Sequence, residues 1–455
     1  MKPKLEEVFG VSINPVLSYV QRSAVDDRFL EALKADKQIV VYGSSKQGKT
    51  ALVQRYLPYD DNVVVRLTPK TQISDVYASV LRQANVEIKE GASASYGKEL
   101  SAGAKVGFKA MIPIFGGADA SAHSDAKATK NEDVQYKEIP FNLELPQDVS
   151  ELLRECRFKK SIILENFHYL DDERQKQLAF DLRTFQELGI RFVILGVWRE
   201  KNRLAQFNGD LVDRILEIPV EPWVNDDFRA VIVQGCEALN IDISEALKLC
   251  CINASFSSIG VFQELLKELC SDARILGHQS DHKTITDAAH FDRAVQKKAQ
   301  DYSARHERSL EAIAAGNVSS SGRGDVLPLF LPFYLVRVIL EGGYEGLENG
   351  MRRSSIQERI QKMHHRPNDV RASDMSNLLY NLASLQAAKS ISPPIIDYDQ
   401  STKLLQVVDS TFYFFLKNAD LKTIADDLMD PTAGSSREAR LQPALPFEQN
   451  DENGE

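Results

Sequence analysis

Gly43-Ser44-Ser45-Lys46-Gln47-Gly48-Lys49-Thr50 have the residue types and spacing to hold a polyphosphate. Gly43 and Gly48 let the backbone approach phosphate oxygens closely, and successive N–H groups together with a helix N-terminus bind their negative charge. In that pattern Lys49 reaches the terminal phosphates and the Thr50 hydroxyl coordinates Mg²⁺. The expected strand Gln38 to Tyr42 stands before the loop and the apolar helix-like ALVQRYL stands directly after it. From background composition the eight-residue pattern arises by chance in roughly one chain of this length in a hundred. The ligands it implies are ATP and Mg²⁺.

Mg²⁺ beside a polyphosphate also needs a carboxylate at the end of a second buried strand. The segment SIILENFHYL supplies Glu165 directly after Ile162, Ile163 and Leu164. The alternative is that Glu165 only ends its strand. With this second motif the chain resembles AAA+ and STAND-type ATPases, whose pattern is four apolar residues and then two acids. The first acid serves the metal and the second positions the attacking water. Here the pair is Glu165-Asn166, so the resemblance implies a metal ligand at Glu165 and, at Asn166, a side chain that orients water but cannot act as a base. Slow hydrolysis is the alternative consequence. His168 and Tyr169, next along the chain, read as packing or hydrogen-bonding residues.

The same resemblance implies further roles. Arg199, after the run RFVILG, stands where the family senses the terminal phosphate, usually with Asn, Thr or Ser. Arg214, in GDLVDRILEIPV, matches the arginine that reaches a neighbouring subunit's nucleotide; its other reading is an exposed helix-end arginine. Val20 and Arg22, in SYVQR, lie where the family holds adenine. The second-sensor position, within ASFSSIG, carries no arginine. The resemblance covers roughly residues 20–418 and points to the origin-recognition and initiator branch and its STAND relatives. Bacterial chains of this build often serve mobile elements or phage defence, which is analogy, since fold does not fix function.

Five apolar runs position these residues: 39–42, 63–67, 162–164, 192–195 and 215–220, separated by helix-like stretches such as 74–85 and 171–188. Strands alternating with helices predict a parallel sheet covered on both faces. The expected fold class is an α/β P-loop (AAA+-like) domain over residues 1–222, a helical lid over 223–315 without strands, and a C-terminal winged-helix domain over 326–420. That last domain is read as three helices, the third from Ser373 to Lys389, and a two-stranded ribbon turning near Asp399 to Lys403. A linker is expected at Ser319 to Asp325 and a disordered tail at 429–455. The Ala-, Gly- and Ser-rich stretch Gly91 to Lys130 marks an insertion, bounded as 91–137, that reads as a β-hairpin or a surface loop.

With a net charge of −10, the protein is not one that coats nucleic acid over its whole surface. Yet between Met351 and Arg371 six basic residues face two acidic ones, and Arg352, Arg353, Arg359, Lys362 and Arg366 form a candidate nucleic-acid patch. The helix after it offers Ser376, Asn377, Asn381 and Gln386, but only Lys389 as a base, so phosphate contact is favoured over base reading. A winged helix used for protein contacts is the competing reading. The five cysteines are odd in number, lack C-x-x-C spacing and read as buried thiols in a reducing compartment. The most apolar stretch, Leu327 to Leu340, is interrupted by Pro328, Pro332 and Arg337, so no membrane span is expected and the location is read as cytoplasmic.

Two functions follow. One is a nucleotide-driven homo-oligomeric ATPase acting on DNA or a DNA-bound complex. The other is an ATP-gated switch that recruits a separate effector protein, with durable ATP binding in place of rapid turnover.

Overall fold

The computed structural model describes residues 2–12, 14–91, 107–113, 136–316 and 327–432. It divides into two compact units, Met1–Lys298 with Val408–Phe414, and Ala299–Val407 with Phe415–Glu455. In the first unit β1 (Gln38–Tyr42) and β2 (Val63–Arg66) precede an antiparallel trio, β3 (Glu87–Gly91), β4 (Gly107–Pro113) and β5 (Tyr136–Phe141). Then come β6 (Ile162–Glu165), β7 (Phe192–Gly196) and β8 (Ile215–Pro219). Five of these strands form one parallel sheet in the order β2-β6-β7-β1-β8. Every residue of β1 and β7 is buried, which is why both read as unbroken apolar runs.

The two faces of the sheet bury different sets. On one, Val40, Leu164 and Ile194 pack with Tyr77, Leu178 and Phe185 from the helices Ile73–Gln83 and Asp172–Glu187. On the other, Ile39, Val41, Ile163 and Val193 pack with Phe29, Leu52 and Val53. Such a double cover leaves the loops after the carboxyl ends of the strands as the place for a ligand.

Within the expected insertion the described strand is β4, which pairs antiparallel with β3 and β5 at the insertion's two edges and places Ala110 in the core. The rest of the Ala/Gly/Ser-rich stretch, the expected linker and all but the first residues of the expected tail lie outside the described residues. The region expected to be purely helical holds the helices Asn225–Leu239, Glu245–Ala254 and Ile259–Asp272, but also a short parallel pair, β9 (Ile241–Ile243) with β10 (Lys283–Ile285). Three residues are too few to show an alternation above the helical pattern around them. Cys236, Cys251 and Cys270 are buried in its core as expected, whereas Cys250 is exposed, correcting the reading of all five as buried thiols.

In the second unit β11 (Met351–Arg352), β12 (Ile396–Asp399) and β13 (Leu404–Val407) form an antiparallel sheet in the order β11-β13-β12. The helices Leu331–Leu347, Arg353–Met363, Ala372–Tyr380 and Leu382–Ala388 precede the β12–β13 ribbon. The helix expected over 373–389 is two, broken at Asn381. No helix among the described residues is long and apolar enough to cross a membrane.

One buried acid in the first unit gives a stability test. The Tyr77 hydroxyl donates to Asp181 Oδ2 at 2.5 Å, yet burial outweighs that bond and raises the Asp181 carboxyl from 3.8 to about 6. A carboxyl whose folded pKa lies above its unfolded one favours folding while protonated, and that contribution is lost as pH rises from 3.8 through about 6. Asp181→Asn keeps an acceptor for Tyr77 without the charge. It is expected to melt at a higher temperature than the wild type at about pH 7.5, with the gap closing by about pH 4 in thermal unfolding scans.

Candidate nucleotide-binding site

The loop after β1 turns into the helix Lys49–Tyr56 through left-handed backbone at Lys46 (φ 58°) and Gly48 (φ 84°). Gly43, at φ 150°, is needed for space as well: a Cβ there would stand 2.7 Å from Val220 Cγ2 and 3.1 Å from Glu221 Oε2. Lys49 closes the loop on itself, donating to Gly43 O at 2.9 Å and Ser44 O at 2.6 Å. Only 9% of Lys49 is exposed, and burial lowers its amine to about 8, with the Glu221 charge acting the other way.

Each loop residue has a distinct partner. Ser44 N–H donates to Glu221 Oε2 at 2.7 Å, and Arg199 Nε donates to Ser44 Oγ at 2.8 Å while its Nη2 pairs with Glu221 Oε1 at 3.1 Å. Arg199, expected near the terminal phosphate, is thus held on the loop itself. Ser45 N–H donates to Val408 O at 2.8 Å, Ser45 Oγ donates to Asp409 Oδ1 at 2.9 Å, and Ser410 Oγ donates to Ser45 O at 3.0 Å. Lys46 O accepts from Gly260 N at 3.0 Å, and Gln47 bridges to Ile259 N and Ser257 O. The ASFSSIG segment without an arginine therefore holds the loop through backbone groups.

Val20 packs against the core of the helices that follow the sheet. Arg22 stacks 3.7 Å from the centre of the Trp223 ring and donates to Val220 O at 3.0 Å; its guanidinium is buried, which lowers its pKa. A Cβ on Gly48 would lie 3.8 Å from that indole, so Arg22 and Trp223 border the loop.

Thr50 Oγ1 and Glu165 Oε1 lie 3.5 Å apart, the former exposed and the latter at the carboxyl end of β6. Two oxygens of this kind suit a hard divalent cation such as Mg²⁺. Glu165 has other partners: Tyr59 donates to Oε1 at 2.6 Å and Arg66 Nε stands 3.1 Å from Oε2. Asn166 occupies left-handed backbone (φ 62°) and opens the turn Phe167–Tyr169. Arg214 lies just before β8, its carbonyl accepting from Gln38 N, with its guanidinium on Glu187 at 3.1 Å and Gln186 at 3.1 Å. That is the end of the sheet away from the loop, and Arg214 is not part of this cluster.

In the second unit the basic patch is divided. Arg353 donates to Ala372 O at 2.9 Å, Lys362 pairs with Glu358 at 2.9 Å, and Arg366 pairs with Asp369 and donates to Leu327 O. Arg352 and Arg359 are exposed. Gln386, expected on a reading helix, is fully buried, donating to Leu382 O and Ile396 O and accepting from Ile395 N, so it belongs to the core.

The sheet order and the loop after β1 define an α/β P-loop domain of AAA+-like build. No protein-family model matches the chain and no curated protein matches it. Among solved structures it is similar to the Walker-type ATPase PABY2304 of Pyrococcus abyssi, at 12% identity and a TM-score of 0.44, covering 88% of this chain and 100% of that one. It is also similar to the Aeropyrum pernix ORC1 protein in complex with DNA, at 13% identity and a TM-score of 0.41, covering 92% and 98%. Similarity to CDC6P from Pyrobaculum aerophilum is 11% at a TM-score of 0.36, covering 89% and 93%. Identities and TM-scores this low establish neither a family nor a ligand.

Sequence reasoning missed Tyr59, Arg66, Glu221, Trp223 and Asp409. Only Arg66 left a signal, because pairing β2 with β6 in register sets it beside Glu165. Asp409 is fully buried and accepts from Ser45 Oγ, Thr411 N and Thr411 Oγ1. Asp409→Ala strands those donors and is expected to cost about 1–3 kcal/mol, read as a lower urea midpoint with unchanged slope.

Proposed function

We propose that the chain is an AAA+/STAND-like ATPase that binds ATP with Mg²⁺ in the loop Gly43–Thr50. The observation that carries this is the loop's shape: Lys49 ties its ends together through Gly43 O and Ser44 O, and Thr50 faces Glu165. Lys49 meets the terminal phosphates, Thr50 and Glu165 hold Mg²⁺, and Arg199 meets the terminal phosphate from its seat on Ser44. Mg²⁺ bound there offsets the charge of the phosphates. Val20 and Arg22 border the base. Arg214, once released from Glu187, serves a neighbouring subunit's nucleotide in a homo-oligomer. The lid spans 223–315 and the winged helix 326–420. The winged helix brings Arg352 and Arg359 to DNA or a DNA-bound complex, in a cytoplasmic role in phage defence or mobile-element biology. Asn166, which offers no carboxylate, favours the second reading: slow hydrolysis, and an ATP-gated switch that recruits an effector protein without DNA.

Lys49→Ala is expected to lower ATP affinity about a hundredfold or more, measured by retention of radiolabelled ATP; unchanged affinity removes the loop as the ATP site. Steady-state hydrolysis at low salt, with and without duplex DNA, separates the two readings. The DNA-coupled reading expects a several-fold rise that is lost in the Arg352→Ala, Arg359→Ala double variant. A low rate indifferent to DNA supports the switch.

A further inference from the structure

His168 lies in the turn Phe167–Tyr169, two residues beyond the Asn166 that stands where a water-activating acid is expected. That turn packs against β7, whose carboxyl end leads to Arg199 on the phosphate loop, and Phe167 meets Trp198 at a ring separation of 6.0 Å. The His168 ring lies against the Tyr169 ring at 4.3 Å. Both of its ring nitrogens are sealed from solvent, and neither has a hydrogen-bond partner among the described residues. Buried polar atoms are almost always satisfied, and leaving one unpaired costs about 1–3 kcal/mol. Two orphaned nitrogens on one ring therefore point to a missing ligand. Burial first, then the charges of Lys49 and Arg203, hold this imidazole down to about 3, so it is neutral at ordinary pH. A neutral imidazole has one N–H donor and one lone-pair acceptor. A water beside a phosphate oxygen offers the matching pair, an O–H to give and an oxygen to receive.

We propose that His168 is a catalytic residue that accepts a hydrogen bond from the water attacking the terminal phosphate of ATP. The inference rests on the ATPase reading above. The water oxygen forms the new bond to the γ-phosphorus. The bond from that phosphorus to the β–γ bridging oxygen breaks, its electron pair staying on ADP, and the water's proton leaves with inorganic phosphate. His168 orients the water and keeps no proton.

The test measures ATP retention and single-turnover phosphate release for the wild type, Lys49→Ala, His168→Phe and His168→Asn. The Phe variant keeps a ring against Tyr169 without nitrogens; the Asn variant keeps a polar group at smaller volume, in case Phe does not fold. The expected result is ATP affinity within about threefold of wild type and phosphate release slower by about thirtyfold or more in every folded His168 variant. Release within about threefold of wild type overturns the role of His168, and so does a parallel fall in affinity and release, which marks a structural role. A wild type that retains ATP but releases no phosphate also overturns it, leaving the nucleotide switch standing. Lys49→Ala retaining ATP like the wild type overturns the ATPase reading, and this inference with it.

Discussion

A protonated amine sealed from water must be solvated by something, and Lys49 is solvated by its own loop. The carbonyls of Gly43 and Ser44 accept from its Nζ, which fixes the start of the loop against the start of the helix after it. The rest of the site depends on that closure. In the closed loop Gly43 has no room for a Cβ, and Gly48 lies in left-handed backbone that glycine adopts without strain. It also turns Ser44 and Ser45 outward to neighbours drawn from distant sequence. Burial lowers the Lys49 pKa only to about 8, so the charge persists at neutral pH and the loop keeps its attraction for an anion.

The surroundings keep that charge from being neutralised by contact. The Glu221 charge acts on it, yet that carboxylate is occupied by Ser44 N–H on one oxygen and Arg199 on the other. Arg199 is bound to Ser44 Oγ as well, so the pair forms a closed ring of hydrogen bonds with the loop. Arg199 therefore belongs to the same hydrogen-bonded shell as the loop that Lys49 closes. Glu165 is poised differently, held between Tyr59 and Arg66 with Thr50 at the edge of hydrogen-bond reach. A cation entering between Thr50 and Glu165 must compete with the Arg66 guanidinium, and because Arg66 is largely exposed that competition is weak.

The sheet and its loop were legible because they rest on local rules. Unbroken apolar runs mark strands buried on both faces, and a glycine-bounded eight-residue pattern after the first of them has few other uses. Arg199 and Arg22, both singled out by resemblance, lie beside the loop, whereas Val20 packs into the helical core. What escaped was set by long-range contact. Asp409 reaches Ser45 across 364 positions, and nothing in the local pattern around Asp409 differs from an ordinary helix start. The β9–β10 pair escaped because three-residue strands carry too little alternation to compete with helical spacing. Within the basic patch Lys362 pairs with Glu358, Arg366 pairs with Asp369 and Arg353 donates to Ser376, partners that composition alone does not reveal.

Asn166 and His168 show how a sequence reading can weigh a residue correctly by frequency and still leave its environment unexplained. A histidine after a strand is ordinarily a packing residue, and in composition nothing separates this one from that case. The distinguishing fact is physical: its ring packs on Tyr169, but the two nitrogens that a packed histidine would satisfy have no partner among the described residues, in a turn that follows Glu165 and packs against the strand leading to Arg199. If packing were its whole purpose, a Phe or Leu would fill the volume without stranding two polar atoms. The unpaired nitrogens are an energetic cost carried in the resting protein, and such costs concentrate where a ligand later relieves them.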